Sequence, residues 1–303
     1  MPFFSSVQNQ KMQEPKYMTT QTEEKYYLNL CQEIQKFKSA FQTKHMGSVD
    51  IFDTDIQKRR RENQHLLDLQ KLKFEDKLLN RLSLDFLLIL KSHKVFDQKE
   101  IHRFSDSLEK FNSSNLVRIV LRRDWQNLKS LSTQYQVGTE LLLFIGLNLA
   151  QAMLELYAER LKPEVDQENW LLGNCPVCGS LPALERLRKE DGKKILWCGF
   201  CGTQWHYPRI KCPYCGNDDH HSLKYFFVEE DKASDQGVFR VDVCDQCKRY
   251  IKTLDERKPG GSEKRNLCME NLNTVYLDVL AQRNGYLSPT YWMVTLSFEN
   301  PLF

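Results

Sequence analysis

Residues 174–215 read NCPVCGSLPALERLRKEDGKKILWCGFCGTQWHYPRIKCPYC, and residues 243–250 read VCDQCKRY. Together they hold four C-x-x-C pairs: Cys175/Cys178, Cys198/Cys201, Cys212/Cys215 and Cys244/Cys247. A C-x-x-C turn aims two sulfurs at one point. Two such turns complete a tetrahedral four-sulfur shell, which suits zinc or a single iron. The eight cysteines are therefore expected to ligate two metal ions. Gly179, Gly202 and Gly216 follow the second cysteine of three pairs, where a tight knuckle needs positive φ. Lys248 stands there in the fourth pair, so that knuckle is expected to differ.

The gaps between pairs are 19, 10 and 28 residues. The first holds two short β-prone stretches, Ala183 to Arg188 and Lys193 to Trp197, around the turn residues Glu190-Asp191-Gly192. The third holds Leu223 to Val228 and Val238 to Val243 around a polar loop. Each of these gaps reads as a hairpin that returns one pair to the previous one. The 10-residue gap is too short for that and reads as a connector. Sequential pairing follows: the first pair with the second, and the third with the fourth. Arg249 to Leu254 reads as a further strand.

Working outward, the chain has 303 residues, 41% hydrophobic and 27% charged, which is ordinary for a globular protein. From about Glu23 to Leu161, Leu and Phe recur at helical spacing with few Gly or Pro, and Thr139 is placed to cap a long helix stopped by Pro163. Pro259-Gly260-Gly261 closes the cysteine region, and Ser262 with Arg265 onwards opens a last helix. The fold class expected is α+β. The divisions are a mobile tail over 1–25, an α-helical domain over 26–165, a double tetracysteine ribbon over 166–258 (175–201 and 212–247), and a C-terminal helix and tail over 259–303.

Several function classes lose support. The most apolar run, Leu141 to Ala150, is interrupted by Asn148 and is shorter than the roughly 20 residues of a membrane span, so no stable membrane insertion is expected. The N-terminal segment lacks the apolar stretch of a secretory signal, which points to the cytoplasm, where C-x-x-C clusters read as metal-binding or redox-active. There is no nucleotide-binding glycine loop and no nucleophile-elbow motif. A closed four-sulfur site also leaves no open position for a water nucleophile, so no catalytic residues are expected. Residues Cys175 to Lys258 carry 15 Lys plus Arg against 13 Asp plus Glu. Eight thiolates around two divalent ions add about −4. That balance argues against nucleic-acid binding. Cys31 and Cys268 stand alone in helical patterns and read as packing residues. His206 and the pair His220 and His221 lie near cysteines, but both shells are already complete. The basic run Gln57–Arg61 reads as a solvated helix face.

The segments CPVCGSLP, WCGFCGTQWHYPRIKCPYC and VCDQCKRYIK resemble the formate dehydrogenase accessory protein FdhE family, with the spacing C-x-x-C-x-x-x-W-H-x-x-R-x-K-C-x-x-C. Leu277-Asp278, Gly285-Tyr286 and the closing Asn300-Pro301-Leu302-Phe303 fit the same pattern. The resemblance implies an α-helical N-terminal domain, two rubredoxin-like ribbons, and two metal ions in the sites, with iron favoured and zinc possible. It also implies a cytoplasmic, non-enzymatic factor that matures respiratory formate dehydrogenase by binding its catalytic subunit before export. Two alternatives stay open: an iron-dependent electron-transfer or thiol-redox protein, and a zinc-ribbon nucleic-acid binder. Trp205, His206, Tyr207 and Arg209, in the short connector, are the candidate partner-binding residues. A segment held at both ends is pre-ordered, and Trp, Tyr and Arg are enriched at interface hot spots.

Overall fold

A computed structural model of the chain describes residues 10–12, 21–46, 56–72, 74–93, 95–228, 237–261 and 265–288. The closing Asn300-Pro301-Leu302-Phe303, Ser262, most of the polar loop after Val228 and most of the expected tail lie outside the described residues. Two pieces of that tail take regular structure: strand β1 (Gln10–Met12) and the start of helix α1 (Gln21–His45). Helices α2 (Ile56–Arg61), α3 (Asp76–His93), α4 (Gln98–Ser107), α5 (Ser113–Arg122), α6 (Trp125–Tyr135) and α7 (Thr139–Leu161) follow. Next come strands β2 (Leu184–Leu187), β3 (Lys194–Trp197), β4 (Gln204–Tyr207), β5 (Leu223–Val228), β6 (Phe239–Cys244) and β7 (Arg249–Asp255), then helices α8 (Leu267–Asn273) and α9 (Val275–Arg283).

The chain divides into two compact units. The helical unit comprises residues 19–56 and 66–163. Short polar side chains start its helices, as their geometry requires. Asp97 accepts from the backbone N–H of Lys99, Asn112 from that of Asn115, and Asp124 from that of Asn127. Helix α7 is apolar on all sides, from Leu141 and Leu142 through Ile145, Leu149 and Leu156, and each of these is fully buried. It is the one helix among the described residues long and apolar enough to cross a membrane, and 78% of that window is buried. It is the core helix of its unit. Thr139 is not its cap. Gly138 holds that position, and its N–H donates to the Glu100 carboxylate. Gly146 allows α5 to approach, because a Cβ there would sit 2.7 Å from Val120 Cγ2.

The second unit comprises residues 1–18, 57–65 and 164–303. Its centre is one seven-stranded sheet in the order β1-β5-β6-β7-β2-β3-β4. Two antiparallel meanders, β2-β3-β4 and β5-β6-β7, are each built around one pair of knuckles. A parallel seam between β2 and β7, Leu184 opposite Lys252 through Leu187 opposite Asp255, fuses them. The expected ribbons are therefore two halves of one sheet. The 10-residue gap, expected as a connector, contains β4. Gln204 to Tyr207 alternate exposed, buried, half-buried, buried, a strand signature too short to stand out before a proline.

The sheet has an apolar and a charged face. Phe226, Val241, Val243 and Tyr250 on one side bury Leu277, Leu280 and Ala281 of α9. Arg240, Asp242, Thr253, Glu185 and Lys194 occupy the other by strand alternation. The C-terminal helical stretch breaks at Thr274 into α8 and α9, with Asn266 capping α8.

Candidate metal centres

Each C-x-x-C pair forms the same knuckle. The backbone N–H of Gly179 donates to Cys175 O at 3.0 Å, and the Cys175 N–H donates to Ser180 O at 2.8 Å. Gly202 and Thr203 repeat this around Cys198, and Gly216 and Asn217 around Cys212. The fourth knuckle was expected to differ, but Lys248 takes φ +55° and its N–H donates to Cys244 O at 2.9 Å. The second knuckle is also the turn between β3 and β4. The fourth is the turn between β6 and β7.

The knuckles meet in sequential pairs. Cys175, Cys178, Cys198 and Cys201 form one cluster, and Cys212, Cys215, Cys244 and Cys247 the other. In the first, sulfurs lie 3.5 Å (Cys175–Cys201) and 3.6 Å (Cys178–Cys198) apart. In the second, Cys212–Cys247 and Cys215–Cys244 are both 3.7 Å apart. A tetrahedron with metal–sulfur bonds of about 2.3 Å has edges of about 3.8 Å. Four ligands around one ion fit this spacing.

Electrostatics agrees. Hydrogen bonds from Cys175, Cys198 and Cys201 hold Cys178 well below the ordinary thiol range, while burial pushes Cys198 and Cys201 well above it. Four buried thiols cannot all ionise without a cation among them, so the cluster is built for one. In the second cluster burial raises Cys212, and raises Cys247 to about 11. Burial also opposes ionisation of Cys244. The backbone N–H groups of Cys247 and Gln246 and the Asn217 amide outweigh it and lower that thiol. The clusters differ in cover: the first is buried throughout, whereas Cys215 is exposed and Cys247 half-buried.

Sequence reading gave no hint of the cover over the first knuckle. His65, from the segment after α2, lies 3.3 Å from Asn174 Nδ2 through its Nε2 and packs edge-on against Trp170. Burial lowers its pKa. Nothing local signals a contact across 109 residues. The basic run Gln57–Arg61 belongs to this sheet unit rather than the helical half, with Gln57 and Arg60 reaching Glu164.

The four candidate partner residues separate. Trp205 is fully buried and its indole N–H donates to Leu172 O. Tyr207 is buried with its hydroxyl on Cys212 O. Trp205 and Tyr207 thus point into the core because β4 is a strand. His206 is half-buried on the other side of β4, and Arg209 is exposed. The edge of β4 is covered: Gln167 donates to Gln204 O and accepts from the His206 N–H, imitating a neighbouring strand. His206 joins neither cluster, and His220 and His221 are exposed.

Two adjoining family models match this unit: "FdhE, central domain" over residues 174–209 and "FdhE, C-terminal domain" over residues 210–292. The boundary between them falls between the two cysteine clusters. A "Protein FdhE homolog" of Aquifex aeolicus is 28% identical over 243 residues, 79% of this chain and 77% of that protein. The chain is similar to the FdhE family over this whole cysteine-bearing region. An FdhE homolog of Pseudomonas aeruginosa is 30% identical over 141 residues, 41% of this chain and 44% of its own length. FdhE of Escherichia coli K12 is 30% identical over 114 residues, 37% and 34% of the two chains. The crystal structure of the P. aeruginosa FdhE protein shares the fold at a TM-score of 0.59 and 20% identity, covering 88% of this chain and 92% of that one. The two four-cysteine clusters are able to hold two metal ions; iron and zinc both accept the donor set.

Proposed function

We propose that this chain is a non-enzymatic, cytoplasmic accessory factor in the maturation of formate dehydrogenase, binding the catalytic subunit before export. Similarity to the FdhE family supports this, as do two four-cysteine clusters set in one sheet. The observation that carries it is the pairing of four closed knuckles with the family spacing of the WH-x-x-R-x-K-C segment. Cys175, Cys178, Cys198 and Cys201 would hold one ion, and Cys212, Cys215, Cys244 and Cys247 the other. Iron is favoured by the resemblance. Bound there, it would supply cross-linking of the knuckles and a one-electron couple. His206 and Arg209 are the accessible members of the proposed partner surface, with Trp205 and Tyr207 supporting them from the core.

The test is formate dehydrogenase activity and assembly in cells lacking this chain, and after its return. Loss with recovery on complementation is expected; unchanged activity in a strain without a second copy would overturn the proposal. A pull-down of the catalytic subunit with His206→Ala and Arg209→Ala, each checked for metal content, tests the surface. One observation favours a redox reading: the exposed Cys215 leaves the second cluster open to a reductant. A colourless protein holding two zinc ions would remove it.

A further inference from the structure

The charged face of the sheet encloses a cavity of about 590 Å³ beside the second cysteine cluster, with Cys212 and Cys244 at one end. That volume lies within the range of small-molecule sites, about 300–1,000 Å³. Its wall contains seven Lys and Arg side chains against one carboxylate, Asp242. Four of the seven already have a carboxylate partner. Arg240 holds Asp242 with two hydrogen bonds of 2.7 and 2.9 Å, and Arg257 holds Asp255 with two of 2.7 Å. Lys194 lies 3.1 Å from the buried Glu185, and Lys224 lies 2.7 Å from Asp245. Among the described residues, no carboxylate lies within ion-pair distance of the other three, Arg209, Lys211 and Arg249.

These three cations line one cleft. Arg209 donates to Gly192 O, which directs its guanidinium towards Arg257: a Cβ on Gly192 would lie 2.7 Å from Arg209 Nη1 and 3.5 Å from Arg257 Cδ. Burial, then the charges of Arg257 and Arg240, lower the pKa of Arg209. Like charges gathered in a partly enclosed cleft repel, and a bound anion relieves that repulsion. A four-thiolate site holding a divalent ion contributes about −2, which three unpaired cations exceed. The remaining wall is mostly apolar. Leu223, Ile251 and Tyr225 line it, Ile210 is 57% exposed at its rim, and the Arg240 guanidinium stacks 4.4 Å from the Tyr225 ring centroid.

We infer that this cleft binds a small phosphate-bearing ligand, its phosphate or pyrophosphate held by Arg209, Lys211 and Arg249. Guanidinium forks match phosphate oxygens in pairs. The enclosed volume admits one small molecule, and the apolar wall takes a ring or chain attached to the phosphate. Cys212 and Cys244 border the cleft, but none of the three phosphate-holding residues is a metal ligand, so failure of phosphate binding would leave the accessory-factor reading intact.

The experiment is calorimetric titration of the metal-loaded full chain with inorganic pyrophosphate, with ADP and with an oligoglutamate peptide, at low and at physiological salt. Saturable binding of pyrophosphate or ADP is expected, weakening at least tenfold in Arg209→Ala and Arg249→Ala, with partial recovery in Arg209→Lys. ADP binding more tightly than pyrophosphate assigns the apolar wall to the attached group; equal affinity confines recognition to the phosphate. Metal content and melting temperature of each variant separate lost binding from lost fold. No binding of either phosphate compound by the wild type at millimolar concentration would overturn the inference. So would binding indifferent to both substitutions, or capture of oligoglutamate alone.

Discussion

Lys248 holds in the fourth knuckle the backbone position that Gly179 holds in the first, with φ +55° against +76° and the same hydrogen bond back to the leading cysteine. A side chain in that left-handed region costs roughly 1–2 kcal/mol. The Lys248 ammonium recovers little, since its 2.8 Å contact with Asp245 is mostly exposed. The knuckle therefore tolerates a non-glycine residue where space allows.

The glycine knuckles should rank by what surrounds them. Gly202 has nothing within 4 Å of a built Cβ, so Gly202→Ala should cost only the backbone term, roughly 1–2 kcal/mol. At Gly179 the same Cβ would meet the His65 ring at 2.8 Å, so Gly179→Ala should cost about 1–3 kcal/mol more. Chemical denaturation of the metal-loaded variants checks this. Equal losses would mean that His65 does not pack over the first knuckle.

The two clusters should release metal at different rates. The first is buried throughout, whereas the second exposes Cys215. Cys244→Ser should retain one ion in the first cluster, and Cys175→Ser one in the second, with the helical unit folded in both. Under a thiol-competing chelator, Cys175→Ser should lose its remaining ion several-fold faster, as followed by an indicator dye.

Glu185 supplies a pH dependence. Burial, with a smaller contribution from Asp242, raises its carboxyl to about 7, above its ordinary 4.5. The folded state thus binds this proton more tightly than the unfolded one. Its contribution is present below about pH 4.5 and is lost as pH rises to about 7. Relative to Glu185→Gln, the wild type should lose stability across that window and run parallel to it above. Melting temperatures of both proteins at matched metal loading measure the difference, and a constant offset from pH 4.5 to 8 would contradict it.

Asp278 anchors α9 to the sheet. The Lys252 side chain is 4% exposed and its ammonium lies 2.6 Å from Asp278, which also accepts from the Tyr250 hydroxyl at 2.8 Å. Removing one member leaves a buried charge, so Asp278→Ala should cost about 3–5 kcal/mol. The pair Lys252→Met with Asp278→Leu should recover most of that loss. Hydrogen exchange over residues 267–283 would show whether the helices loosen in the single variant alone.

The sequence alone determined the cysteine pairing and the two-part plan of helices followed by strands. Both rest on local physics: a knuckle is written in consecutive residues, and a hairpin of 19 or 28 residues has little choice about where it returns. The strand at Gln204–Tyr207 was not legible, because four residues carry too little periodicity to oppose a connector reading. Packing of Trp205 was one of two readings the sequence left open, and the strand decides it and buries Tyr207 as well. Only tertiary structure decided the rest. The parallel seam of β2 on β7 joins residues 68 apart and fuses two modules into one sheet. It gathers Glu185, Lys194, Arg240 and Asp242 onto one face and leaves Arg209, Lys211 and Arg249 around one cavity. Contacts of that kind depend on packing between distant segments, and no pattern of adjacent residues encodes them.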